Sequence, residues 1–222
     1  MGLNKAQGNM YEFLSHTWNA VKGKCAHECG YCYMTRFGEQ KPIRLHNKEL
    51  KTDLGEGNFI FVGSSCDMFA PDVPDEWIEA VIAHCKDYSR NKYLFQSKNP
   101  ARMAGFKSLE ELNPVICTTI ETNRWYGDIM NSCPIPQQRA DGMALLPFTK
   151  YVTIEPIMDF DVDEMVALIK KCNPIQVNIG ADTGNNNLPE PNFDKVIELN
   201  NQLKQFTVIA NKRNLSRLEN KD

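Results

Sequence analysis

The chain has 222 residues, 42% hydrophobic and 24% charged, with a formal net charge of −3. That length and composition suit one α/β domain with its own core, and the charge excludes a protein that is basic over its whole surface. Eight cysteines in so long a chain exclude a small disulfide scaffold.

The opening "MGLNKAQGNMYEFLSH" has no apolar signal-peptide core. "MGLNKA" lacks the Ser or Thr of a good myristoylation site. No apolar run approaches the roughly 18 residues of a membrane span. A cytoplasmic protein with reduced thiols is the expectation. "HTWNAV" (16–21) reads as a weak first strand, followed by "FIFVG" (59–63), "KYLFQS" (92–97), "VICTTI" (115–120), "YVTIE" (151–155), "IQVNIG" (175–180) and "FTVIA" (206–210). Between them, "PDEWIEAVIAHCKDY", "IPQQRADGMALLPF", "DVDEMVALIKKC" and "PNFDKVIELNNQL" carry apolar residues at helical spacing. Near-continuous apolar strands alternating with helices mean buried parallel strands joined by right-handed crossovers. An incomplete β/α barrel is predicted, within a single domain of residues 1–222 whose core spans about 16–212. A doubly wound open sheet is the alternative.

Chemistry gathers where the strands end. Ser64, Ser65 and Asp67 follow the second run, Ser97 and Lys98 close the third, Glu121 follows the fourth, Glu155 ends the fifth and Asp182 follows the sixth. The C-terminal rim is where barrel and open-sheet active sites lie.

"KCAHECGYCYM" (24–34) places Cys25, Cys29 and Cys32 within eight positions. Three thiolates on one tight loop can converge on a metal centre without a long loop closure. Around a [4Fe–4S] cube they leave one iron without a protein ligand, unlike an electron-transfer ferredoxin. A structural zinc site would need His27 or His16 as a fourth ligand. An iron–sulfur redox or sensor protein is a third reading.

"CAHECGYC" resembles the C-x3-C-x2-C signature of radical S-adenosylmethionine (SAM) enzymes, down to the aromatic Tyr31 before the last cysteine. "HTWNAVKGKC", "FVGSSCDMFAP", "LFQSKNP", "TTIET", "VTIEPIM" and "VNIGADTG" look like successive blocks of a phage-associated Gp37/Gp68-like (DUF5131) group, distantly similar to spore photoproduct lyase. The resemblance implies a partial (β/α)6 TIM-like barrel with cluster and cofactor at the C-terminal rim of the strands. It implies that Cys25, Cys29 and Cys32 hold a [4Fe–4S] cluster whose open iron chelates SAM. Reductive cleavage of SAM would then yield a 5′-deoxyadenosyl radical that abstracts hydrogen from a substrate. Many radical SAM enzymes carry a Gly-Gly-Glu block where "GSSCDMF" stands here, so Asp67, Ser64 or Ser65 must take the cofactor's amino group.

On that reading Tyr31 packs beside the cluster or the adenine, Lys98 pairs with the methionyl carboxylate, and Ser97 donates to it. Glu121 accepts from ribose hydroxyls, and Glu155 takes ribose or substrate. Cys66 is the candidate hydrogen donor to a product radical. Cys85 and Cys117 read as core, whereas Cys133 and Cys172 have no assignable task. The implied partners are SAM, a nucleobase, nucleotide or nucleic acid as substrate, an electron donor such as flavodoxin or ferredoxin, and a companion protein. The basic and aromatic stretch "YSRNKYLFQSKNPARMAGFK" reads as a solvated face rather than a phosphate track.

Overall fold

Each apolar run of the sequence becomes one rung of a parallel ladder. In the computed structural model, which describes residues 2–220, β1 (Asn4–Lys5) and β2 (His16–Trp18) open an eight-stranded sheet. Met1, Lys221 and Asp222, the ends of the expected domain, lie outside the described residues. A two-stranded ribbon, β3 (Val21–Lys22) with β4 (Arg44–Leu45), follows. The sheet continues through β5 (Phe59–Val62), β6 (Lys92–Gln96), β7 (Val115–Thr119), β8 (Thr149–Ile154), β9 (Gln176–Ile179) and β10 (Val208–Asn211).

The strand order is β1-β2-β5-β6-β7-β8-β9-β10, with β1 antiparallel to β2 and every other pair parallel. A doubly wound sheet reverses its order at a switch point; this one never does. The sheet is open, because β1 pairs only with β2 and β10 only with β9. β1 is an edge strand that two polar residues, Asn4 and Lys5, give no means of anticipating.

The crossovers are α1 (Asp75–Asp87), α2 (Pro100–Met103) with α3 (Ser108–Leu112), α4 (Gly127–Met130) with α5 (Pro136–Leu145), α6 (Val162–Cys172) and α7 (Phe193–Leu203). The longer ones are set by local rules. α1 and α6 carry acidic residues in the first turn and basic ones in the last, complementing the helix dipole. α7 is capped by Asn192, whose side chain accepts from Lys195 N at 2.9 Å.

Alternate strand residues serve opposite faces of the sheet. Ile60, Val62, Phe95, Ile116, Val152 and Val177 join the main core with Ile78, Ile82, Ile169 and Leu199 of the helices. Phe61, Leu94 and Cys117 point the other way, where the N-terminal segment covers them with Tyr11 and Leu14. Cys85 and Cys117 are both fully buried, as their positions on an apolar stripe and in a strand require. No helix among the described residues is long and apolar enough to cross a membrane.

The link from β2 to β5 holds no α-helix among the described residues. It carries the ribbon, the cysteine loop and a short 3-10 helix, Tyr33–Phe37. The expected first strand stops at Trp18, because Asn19 turns away to bond the serines that follow β5.

Candidate functional site

The cysteine loop starts where the ribbon strands almost touch. Gly23 has φ +126°, and a Cβ there would lie 2.6 Å from Pro42 O, so glycine alone fits. From there the loop runs over residues that follow three successive strands. His27 meets Asp67 beyond β5, Cys29 faces Lys98 beyond β6, and Tyr31 donates to Glu121 beyond β7. The segment around α4 grips its far side. Gly30 N donates to Ile129 O at 2.8 Å, Ser132 N to His27 O at 3.2 Å, and Asn131 Nδ2 to Glu28 O at 2.7 Å.

All eight cysteines are free thiols. Two of the three motif thiols have partners from outside the motif: Cys25 is hydrogen-bonded to Cys66, and Cys29 Sγ lies 3.3 Å from Cys133 Sγ. The hydrogen bond from Cys66 holds Cys25 down at about 7 against the opposing effect of burial. Cys133's hydrogen bond, with help from the Lys98 charge, holds Cys29 at about 6. Burial pushes Cys32 up. Cys66 and Cys133, as donors in these pairs, are held well above the ordinary thiol range. Thiolate is the form that binds metal, so the donor set has the right chemistry for an iron–sulfur cluster. Among the described residues no three His, Cys, Asp or Glu side chains are grouped to hold a single ion. His27 Nε2 is bonded to Asp67 and His16 Nδ1 to Ser15, which leaves His27 Nδ1 buried and without a partner among the described residues.

Asp67 ties the loop to the sheet. Its Oδ2 accepts from His27 Nε2 and Ser97 Oγ at 2.9 Å and from Lys98 N at 2.8 Å, while Oδ1, among the described residues, accepts from Phe69 N at 3.0 Å alone. Burial raises its carboxyl, but His27 and the Lys98 and Ser97 hydrogen bonds outweigh it and hold the group below the usual range. Oδ1 keeps acceptor capacity for one more donor. Ser97 is fully engaged, giving its proton to Asp67 and accepting from Asn99 N at 2.8 Å.

Beside it lies a buried ion triad. Glu121 and Arg139 are both 0% exposed, with Arg139 Nη1 2.6 Å from Glu121 Oε2. Lys98 Nζ lies 3.8 Å from Glu121 Oε1 and 5.3 Å from the centre of the Tyr31 ring. Burial opposes charge on Glu121, and the Arg139 and Lys98 cations reverse that, leaving the carboxylate below its usual range. Burial also opposes charge on Lys98, yet Cys29 and Glu121 keep it protonated. The side chain of Lys98 is 17% exposed, so a desolvated cation stands at the mouth of the site.

Ser64 and Ser65 sit at the same rim, both hydroxyls bonded to Asn19 at 3.0–3.3 Å. Glu155 is engaged elsewhere. It accepts from Asn9 at 2.6 Å, Lys212 at 2.5 Å and Asn214 at 3.2 Å, next to a cis bond to Pro156. Asp182 bonds the backbone of its own loop at Gly184 and Asn186.

Motif spacing alone does not point to Arg139, Cys133 or Asn19. Arg139 lies among the buried residues of α5, where a cation is not expected, and Cys133 reaches Cys29 across 104 positions of chain. A spare cysteine before a proline was the one available signal.

The family described as "Protein of unknown function (DUF5131)" matches residues 9–189. No curated protein matches the chain by sequence. Among solved structures the chain is similar to a mutant spore photoproduct lyase with bound AdoMet and dinucleoside spore photoproduct. The identity is 10% and the TM-score 0.65, over 91% of this chain and 78% of that one. A second mutant of the lyase is 12% identical at a TM-score of 0.66, with the same coverage. The lyase complexed with dinucleoside spore photoproduct is 10% identical at 0.64, again with the same coverage.

Proposed function

The chain belongs to the DUF5131 family, and from that premise we propose that it is a radical SAM enzyme, a single domain with a core of about 16–212 and the form of a partial (β/α)6 barrel. The observation that carries this reading is the three-thiol loop lying over the ends of β5, β6 and β7, in a fold similar to spore photoproduct lyase. Cys25, Cys29 and Cys32 would hold a [4Fe–4S] cluster. A bound cluster would supply the electron that cleaves SAM to a 5′-deoxyadenosyl radical.

The chain's own residues bind and orient. Lys98 offers the methionyl carboxylate a charge-assisted contact, strengthened because the cation is largely withdrawn from water. Asp67 takes the amino group at Oδ1, with the Ser64 and Ser65 hydroxyls beside it; Ser97 holds Asp67 in place and reaches the carboxylate only by turning its hydroxyl. Tyr31 packs against Lys98 and shields the site. Glu121 reaches ribose by exchanging the Tyr31 hydroxyl for a ribose one, and Glu155 is the substrate-side carboxylate. Cys66, already against Cys25, is the hydrogen donor to product; solvent deuterium absent from the product would remove it from that role.

A nucleobase, nucleotide or nucleic acid is the substrate class, supported by the dinucleoside bound to the similar lyase. The resemblance alone carries the reducing cytoplasmic compartment, a flavodoxin- or ferredoxin-type electron donor, the phage setting and a companion protein. Metal content tests the reading directly. Anaerobic preparation should give a brown protein with about four irons per chain. A colourless protein with one zinc per chain would replace this reading with a structural metal module.

A further inference from the structure

Residues 22–51 hold seven Lys and Arg against three Asp and Glu, a local excess of four positive charges in a chain of net −3. The remainder of the chain is therefore strongly acidic, and the positive charge surrounds the cysteine loop. Some of it is neutralised locally: Lys22 pairs with Glu49 at 2.8 Å and Lys24 pairs with Glu28. Arg36, Lys41 and Arg44 are exposed and, among the described residues, have no carboxylate partner.

Lys41 and Arg44 flank a groove of about 280 Å³ between the β3–β4 ribbon and the 33–37 helix, whereas Arg36 donates to Thr183 O outside it. Lys41, Arg44, Phe37 and Met34 line it, Glu39 is the one carboxylate on its wall, and Ser65 closes the end nearest the site. Phe37 is 71% exposed, and its ring is held edge-on against Tyr33, itself 43% exposed. Tyr33 is anchored by its hydroxyl to Ser64 O at 2.9 Å. A solvated face needs no bare phenyl ring, and an apolar docking face would not be ringed by unpaired cations. Cations that track a backbone beside an aromatic platform for bases are the two requirements for holding single-stranded nucleic acid.

We propose that this groove binds a single-stranded polynucleotide. Lys41 and Arg44 contact its phosphates, one base stacks on Phe37, and the strand leads toward Ser65 and the cysteine loop. The small footprint favours one strand over a duplex, whose phosphates would need a wider basic face. This rests on the radical SAM reading for what the strand is used for, but not for its being bound.

The test is fluorescence anisotropy with labelled single-stranded DNA and RNA of about 12 nucleotides, within the site sizes of such grooves. The full chain is used, both metal-loaded and metal-free. Between about 50 and 200 mM salt, affinity should fall with a log–log slope of about −1.4, for two phosphate contacts at about 0.7 each. Lys41→Gln and Arg44→Gln should each flatten that slope by about 0.7. Phe37→Ala should weaken binding roughly 5- to 150-fold, whereas Lys107→Gln and Lys204→Gln should change nothing. Absence of salt-dependent binding, or equal loss in the Lys107 and Lys204 controls, would overturn the proposal. So would displacement by polyglutamate as effective as by oligonucleotide, with Phe37→Ala silent; that would mark an acidic-peptide site. A chain that binds the strand through these residues but makes no 5′-deoxyadenosine would sink the enzyme reading and leave the groove standing.

Discussion

Arg139 shows how one residue far from the motif can govern the site. Its guanidinium is the main compensation for a carboxylate with no access to water, and that carboxylate holds Tyr31 in place. Breaking a buried pair costs about 3–5 kcal/mol because the remaining charge is stranded. Arg139→Met should lower unfolding free energy in urea by that amount, with Lys98, 3.8 Å away, offsetting only part of the loss. The double variant Arg139→Met, Glu121→Leu should recover part of the stability, since no buried carboxylate is then stranded, although Lys98 loses its carboxylate partner. A double variant no more stable than Arg139→Met alone would mean that the triad is held for its packing. Lys98→Ala should weaken SAM binding by about 1.5–3 kcal/mol, the range for a hydrogen bond to a charged group. Calorimetry on the cluster-loaded chain checks this, and unchanged affinity would place the cofactor elsewhere.

At the scale of elements, α5 and α2 meet at a glycine. Gly142 lies inside a helix, where Gly→Ala ordinarily stabilises by about 1 kcal/mol. Here a Cβ would lie 2.5 Å from Ala101 N and 3.0 Å from Ala101 Cα, against backbone that cannot swing aside. Gly142→Ala should therefore lower the midpoint of thermal unfolding; a raised midpoint would show that the two helices separate freely. Such a contact is invisible in a sequence. The parallel strands inside the sheet are legible because they are largely buried and read as apolar runs, the exposed edge strand β10 by its β-branched residues alone, and α1, α6 and α7 because an apolar stripe follows an acidic first turn. α4 is not legible: "GDIM" has no period, and it forms by bonding back to Tyr126 and Gly127 while leaning on the cysteine loop. The site divides the same way. Cys25, Cys29 and Cys32 announce themselves by spacing, and Ser64, Asp67 and Lys98 by their place after apolar runs. Cys133, Arg139 and Asn19 acquire their roles only when distant crossovers are laid side by side. Glu155 follows the rule for strand ends yet faces Lys212 and Asn9, because β8 lies two strands beyond β6.

Over the whole molecule, the two largely buried carboxylates of the site link stability to pH. Asp67 and Glu121 both stay below the ordinary carboxylate range: burial would raise them, but His27 and Arg139 respectively prevail. As pH falls, the unfolded chain takes up these protons first, at about pH 4. Their contribution is thus complete above about pH 5 and disappears as pH drops through the lower folded-state values. Urea unfolding from about pH 6 to about pH 3 should show this loss, and Asp67→Asn should flatten it. An unchanged slope in that variant would remove Asp67 from the linkage. The hub and the triad serve one purpose, to hold a three-thiol loop above the ends of parallel strands. On the proposed function, this loop supports cleavage of SAM. The direct measurement is anaerobic incubation of the iron-reconstituted chain with dithionite and SAM, followed by chromatographic assay for 5′-deoxyadenosine. Wild type and Cys85→Ala should both form it, because Cys85 is a core thiol, and Cys29→Ala should form none. No 5′-deoxyadenosine from an iron-loaded wild type, or equal amounts from Cys29→Ala, would rule out a radical SAM role for this loop.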